Sequence, residues 1–397
     1  MNMLFSLGLI FIVGFSTAEI FRRIKLPRII GILASGMIIG PYVLDLLDPS
    51  ILGISAELRK MSLIIILIKA GLSLDLSDLK KIGRPAVLMS FLPAAFEITG
   101  YVIFAPIIFG ISRSEAAVMG AVLSAVSPAV VVPRMVKLIE EKRGTKTGVP
   151  QLILAGASCD DIFVIVLISA FLTMAQSGSF NAASLWDIPI SIILGAALGA
   201  IAGAMLGKIF SSANIRSTTQ TIILLSSAFM LMTIETWAKD HIALSGLLAV
   251  VSMACVLKLR TSSEQTKKLS AKFGKLWIAA ECLLFALVGA AVDIRYTMAA
   301  GMGAIAIIFI SLCFRTVGVI LCLVKTKLSI KERIFCIIAY LPKATVQAAF
   351  GAVPLAAGLP GGKMILSVAV LAIIITAPLG AIGIDNSFAK LLSDDSE

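Results

Sequence analysis

Charge is scarce in this sequence. Of 397 residues only 14% are Asp, Glu, Lys or Arg, against about 25% in a soluble domain. The 34 basic and 23 acidic side chains cannot supply the charged skin that a soluble molecule of this length needs. Histidine occurs once, as His241. One imidazole does not make a metal centre, and its place at the edge of an apolar segment suits an interfacial residue. None of the six cysteines (Cys159, Cys255, Cys282, Cys313, Cys322, Cys336) has CxxC spacing, and all fall in apolar stretches. Each reads as a small buried hydrophobe, with neither a disulfide nor a metal site expected. No Lys or Arg precedes the first apolar run, which ends in basic residues. A removable leader has the opposite arrangement, so this run is expected to be a membrane span. A Walker-type glycine loop is missing, so no nucleotide and no other cofactor is expected.

What the sequence has in abundance is apolar length. Hydrophobic residues make up 59% of the chain and the mean hydropathy is +1.03. Runs of about 20 apolar residues recur throughout, the length of a membrane-crossing helix and twice that of a barrel strand. The expected class is all-α integral membrane. Spans are predicted at 3–21, 29–47, 58–73, 85–109, 114–137, 149–174, 186–209, 218–237, 241–259, 275–292, 297–324, 332–357 and 361–383. With these thirteen, 25 Lys and Arg fall in the connections on one side and 6 on the other, leaving Lys69, Arg315 and Lys343 within or near spans. Basic residues mark the cytoplasmic side. The N-terminus is therefore expected outside and the C-terminus in the cytoplasm of a plasma or inner membrane. The same asymmetry explains most of the net charge of +11 without nucleic acid.

An odd count permits an inverted repeat of six helices, a linker helix and six more, a plan shared by many secondary transporters. The fourth span then pairs with the eleventh, the fifth with the twelfth and the sixth with the thirteenth. The fifth and twelfth both carry helix-breaking sequence, at 127–133 (Ser-Pro-Ala-Val-Val-Val-Pro) and at 351–354 (Gly-Ala-Val-Pro). Proline removes a backbone donor, and such breaks persist at membrane depth only where protein or a water cavity satisfies the freed groups. Two breaks at matching positions point to a binding site.

Charges inside spans are costly, at least about 2.5–3.5 kcal/mol for a central carboxylate. Asp160 and Asp161 sit side by side near the middle of the sixth span. Burial and a like-charged neighbour both favour the protonated form of a carboxylate, while the ionised form is a hard oxygen ligand for a cation. Proton and cation can thus compete for one place, the minimum machinery of an antiporter. Glu97 in the fourth span and Arg315 in the eleventh, its repeat partner, suggest an ion pair acting as a lock. Lys343 in the twelfth needs a carboxylate partner or must snorkel to the cytoplasmic face. Lys69, near the cytoplasmic end of the third, is expected to snorkel.

These residues also resemble a known family. The stretch from Leu26-Pro27-Arg28 through Gly36 to Gly40-Pro41 resembles the second-helix signature of cation:proton antiporters, and Lys69-Ala70-Gly71-Leu72 their following segment. Ser127-Pro128 and Asp160-Asp161 resemble the broken-helix and double-aspartate motifs. Pro342-Lys343-Ala344-Thr345-Val346-Gln347 is similar to the NHA branch of sodium/proton antiporters. The resemblance implies a homodimer whose broken helices cross beside the aspartates. It implies a scaffold at 1–83 and 212–296, a linker helix at 175–211, and a transport core at 84–174 and 297–397. It implies that Asp161, with Asp160, binds Na⁺ or Li⁺ and the proton, with Ser127 and Ser158 as auxiliary oxygen ligands. Arg315 stands where electrogenic relatives carry a lysine, so a second exchanged proton would require Lys343 to pair with Asp160 in its place.

The expected function is sodium (or lithium)/proton antiport by alternating access, serving pH homeostasis. The partners are monovalent cations, protons and the bilayer. A potassium/proton antiporter and a sodium-coupled organic-anion symporter are the alternatives. A passive channel lacks the repeated filter or charge ring it would need.

Overall fold

The computed structural model describes residues 2–24, 26–73, 83–177, 184–212, 215–238, 242 and 244–395. His241 lies outside them. The described chain is helical throughout. In order the helices are α1 (Met3–Arg23), α2 (Arg28–Ile39), α3 (Pro49–Gly53), α4 (Ser55–Ser73), α5 (Arg84–Met89), α6 (Leu92–Phe109), α7 (Arg113–Ser124), α8 (Pro128–Glu140) and α9 (Val149–Ser177). There follow α10 (Ser184–Ser212), α11 (Ser217–Ala238), α12 (Gly246–Arg260), α13 (Ser263–Ala290), α14 (Ile294–Cys322), α15 (Ile330–Ala339), α16 (Thr345–Phe350), α17 (Val353–Ala356) and α18 (Gly362–Leu391). Nine helical stretches among the described residues are long and apolar enough to cross a membrane, counting α5–α6 and α7–α8 each as one. The other expected spans overlap shorter helices: α2 ends at Ile39 rather than at 47, α12 starts at Gly246 rather than at 241, and α4 and the broken α15–α17 cover the remaining two. Lys69 is half-buried near the end of α4.

The chain divides into two compact units. The second comprises Ile54–Leu74 and Ile165–Leu284. Within it α10 lies on α12 along Gly195, Gly199, Gly203 and Gly207, where added Cβ atoms would strike Ser245, Ala249, Met253 and Arg260 in turn. Small residues every fourth position let helix backbones approach closely where lipid gives no hydrophobic incentive to pack. Sequence reading passed over this stripe.

The first unit comprises Met1–Gly53, Asp75–Val164 and Phe285–Glu397. Here α6 packs on α7 and α14, while α18 runs against α14, α15, α16, α17, α7 and α8. A buried cluster including Met135, Ile153, Ala157, Phe335 and Tyr340 fills the space between α8, α9 and α15. An isolated bridge joins Arg143, after α8, to Asp394 in the C-terminal tail.

Both broken spans are present, but not where the prolines suggested. In the fifth, helix stops at Ser124 and resumes at Pro128, which occupies the first turn of α8, where a missing N–H costs nothing. Pro133 lies inside α8. In the twelfth, the break expected at 351–354 falls earlier, at 340–344 between α15 and α16. Pro342 is the cause: it disfavours helical backbone in the residue before it and clashes one turn back. A second, smaller interruption at Gly351 and Ala352 precedes α17, with Pro354 in its first turn. Lys343, expected inside a helix, therefore lies in the break itself. Among the cysteines, Cys282, Cys322 and Cys336 are buried, Cys159 and Cys255 partly so, and Cys313 is exposed rather than buried.

Candidate functional site

The two breaks cross. The Ser127 amide donates to the Pro342 carbonyl at 2.8 Å, and the Ser127 and Thr345 hydroxyls lie 3.4 Å apart. Buried backbone groups released by a break need partners, and here side chains supply them. Arg315 donates from Nε to the Tyr340 carbonyl at 2.7 Å and from Nη1 to the Ser124 carbonyl. Gln347 Nε2 donates to the carbonyls of Leu123 (3.2 Å) and Ala125 (3.0 Å). The Val126 amide donates to Asp160 Oδ2 at 2.8 Å, and the Lys343 amide to the Thr376 hydroxyl at 2.9 Å.

Around this crossing the buried charges form one connected row. Lys343 Nζ meets Glu97 Oε2 at 2.6 Å. The same oxygen takes Arg315 Nη1 at 2.8 Å, and Arg315 Nη2 reaches Asp160 Oδ2 at 3.3 Å. All four residues are at most 1% exposed. The Arg315 guanidinium also stands over the Tyr340 ring, 5.3 Å from its centre, adding a cation–π contact. The predicted Glu97–Arg315 pair is present, but as part of a larger set. Lys343 does not take Asp160: Glu97, on α6, receives its ammonium, while Arg315 serves both carboxylates. A planar fork can do so because it presents five donors in fixed directions.

Asp161 follows Asp160 on α9. Its Oδ1 is buried with no hydrogen-bond partner, and so is Asp160 Oδ1. Two unpartnered carboxylate oxygens on adjacent residues, beside a crossing of broken helices, can accept a proton or ligate a cation. With every group ionised, Glu97, Asp160 and Asp161 carry one more charge than Arg315 and Lys343 balance. Ser127 is buried at the crossing, and the side chain of Ser158 lies outside the described residues. Gln347, Thr345, Tyr340 and Thr376 were not singled out as site residues, because neutral side chains in an apolar helix carry no sequence signal of the backbone groups they serve.

Buried opposite charges around two crossing broken helices, in an all-helical membrane-spanning chain, define an ion-coupled secondary transporter. The family model described as "Sodium/hydrogen exchanger, transmembrane" matches residues 7–386, and the chain belongs to that family of cation/proton antiporters. It is 30% identical over 396 residues to mouse sodium/hydrogen exchanger 9B2, covering 96% of this chain and 72% of the relative. Human sodium/hydrogen exchanger 9B1 is 31% identical over 401 residues, covering 96% and 76%. Among solved structures, the sodium proton antiporter MjNhaP1 from Methanocaldococcus jannaschii at pH 8 superposes with a TM-score of 0.81 at 19% identity, covering 97% of this chain and 98% of that one. It shares the fold. The chain is thus a multi-pass integral membrane transporter rather than an enzyme.

Proposed function

We propose that the protein exchanges Na⁺ or Li⁺ for protons by alternating access, with Asp161 as the carboxylate that takes cation and proton in turn. The observation that carries this reading is the pair of buried, unpartnered oxygens on Asp160 and Asp161, next to a row of ion pairs one positive charge short of balance. A single proton or a single monovalent cation neutralises the cluster, so each excludes the other. Asp160 is held by Arg315 and the Val126 amide, which leaves its second oxygen as a ligand beside Asp161. Ser127 and Ser158 fit as neutral oxygen donors. The names of the relatives, sodium/hydrogen exchangers, agree with sodium as the cargo.

Thirteen spans arranged as six, one and six put the N-terminus outside and the C-terminus in the cytoplasm. Residues 84–174 and 297–397 move as a transport core against a scaffold of 1–83 and 212–296, joined by the linker at 175–211, within a homodimer. The test of the site is Asp161→Asn in proteoliposomes. We expect the variant to fold and to lose sodium-driven proton movement. Exchange at the wild-type rate would refute the assignment.

A further inference from the structure

Two glutamates outside the ion site are built into the fold in the same unusual way. Helices α7 and α15, which enter the two breaks, both begin with Ser-x-x-Glu: Ser112 with Glu115, and Ser329 with Glu332. Each is a complete capping box, with side chain and backbone exchanging hydrogen bonds. In both, one carboxylate oxygen serves the cap. Glu115 Oε2 accepts from the Ser112 amide at 3.0 Å, and Glu332 Oε2 from the Ser329 amide at 2.7 Å. The other oxygen leaves the helix and reaches the opposite half of the fold. Glu115 Oε1 accepts from the Gly361 amide at 2.7 Å, where α18 starts. Glu332 Oε1 accepts from the Thr147 hydroxyl at 2.5 Å, just before α9. Both glutamates are buried, 9% and 6% exposed, although a cap alone needs only a solvated carboxylate.

The Thr147 contact bears on the ion site. Helix α9 carries Asp160, and α15 ends at Tyr340, whose carbonyl holds Arg315 Nε while Arg315 Nη2 holds Asp160. Helix α15 is thus fastened to α9 at its entrance by Glu332–Thr147 and at its exit through Arg315. At the exit the two also touch closely, since a Cβ on Gly156 would strike the Tyr340 hydroxyl. Glu115 makes the corresponding tie between α7 and α18.

We propose that Glu332 and Glu115 are positioning residues: each ties the entrance of one broken helix to the helix that follows the other, and so fixes the register in which the crossing presents Asp160 and Asp161. The inference rests on those aspartates being the ion site. The two ties differ in a testable way. Thr147 offers a hydroxyl, which can accept as well as donate, and its hydrogen has a second acceptor in the Gly144 carbonyl at 3.3 Å. Gln at 332 could therefore cap with its oxygen and donate to Thr147 with its nitrogen. Gly361 offers only an N–H, so Gln at 115 can serve the cap or the tie but not both.

The experiment measures cation-driven proton flux in proteoliposomes against Na⁺ concentration, with thermal stability in detergent in parallel. Thr147→Val leaves the cap whole and removes the tie, together with the longer Thr147–Gly144 contact within the same loop. It should raise KM for Na⁺ roughly tenfold, the scale on which groups that hold an ion's ligands in place act, and Thr147→Ser should restore it. Glu332→Gln should stay near wild type, while Glu115→Gln should resemble Glu115→Ala. A wild-type KM in Thr147→Val, even with lowered stability, would overturn the proposal, as would Glu332→Gln failing as badly as Glu332→Ala. Asp161→Asn runs alongside. Flux surviving there refutes the ion-site reading; flux lost there, with KM unmoved in Thr147→Val, refutes the ties alone.

Discussion

At the residue scale, Arg315 is held on every side. Its guanidinium serves two carboxylates and the carbonyls of Ser124 and Tyr340. An ammonium cannot span those four directions, so Arg315→Lys should lower the unfolding temperature in detergent despite keeping the charge; an unchanged temperature would contradict the fork's role. Arg315→Ala should cost about 3–5 kcal/mol, because it strands buried acids. Adding Glu97→Ala should recover part of that loss and no more, since Lys343 and Asp160 then lose their partners. Thermal unfolding of the singles and the double checks this, and strict additivity would argue against direct contact.

At the element scale, the breaks and the loops around them set the geometry. Gly156 lets α9 lie against Met89 and Tyr340. Gly156→Ala should push α9 away from α15 and cut the exchange rate severely while leaving other helices intact, as circular dichroism would report. The C-terminal tail straps the loop ahead of α9. The Lys146 amide donates to Asp395 Oδ2 at 2.8 Å, the Thr145 hydroxyl at 3.1 Å, and Arg143 pairs with Asp394 at 2.7 Å. The Lys146 hydrogen bond, with those of Ser393 and Thr145, holds the Asp395 carboxyl below its ordinary range. A depressed pKa means the strap's contribution is complete above the ordinary value of about 3.9 and is lost only as pH falls through the lowered one. The protection factor of the Lys146 amide, its exchange rate relative to an unprotected amide at the same pH, should therefore be flat between about pH 5 and 8 and fall in Asp395→Ala. Protection that varies across that range would show another group in control.

At the scale of the whole molecule, the proposed ion site makes the charge balance of the buried row the quantity that sets the stoichiometry. Lys343 and Arg315 are both engaged by fixed acids, leaving one exchanging unit, so one proton should move per sodium ion. Net charge transfer is then zero and a membrane potential has no purchase. A second proton would add one elementary charge, worth about 2.3 kcal/mol per 100 mV. The check is the sodium gradient that nulls proton flux, measured with and without a potassium-diffusion potential. A null point that moves with voltage would show Lys343 releasing its proton during the cycle.

The sequence by itself determined the membrane class, the apolar helices and the charges of the row around the crossing, because hydropathy and the cost of charge in lipid are local properties read one span at a time. It also marked both broken helices, through proline's local chemistry. Tertiary structure decided the rest. The main break of the twelfth span falls at 340–344, where Pro342 cannot continue the helix and Ser127 and Arg315 take up the freed carbonyls, while the expected break at 351–354 is only a short interruption at Gly351 and Ala352, because Pro354 fits a helix's first turn. Lys343 meets Glu97 rather than Asp160 because the break turns it towards α6, a direction no helical periodicity encodes. The second oxygens of Glu115 and Glu332 belong to the same category: the capping boxes are written in Ser-x-x-Glu, but what each spare oxygen touches depends on a loop far away in the chain.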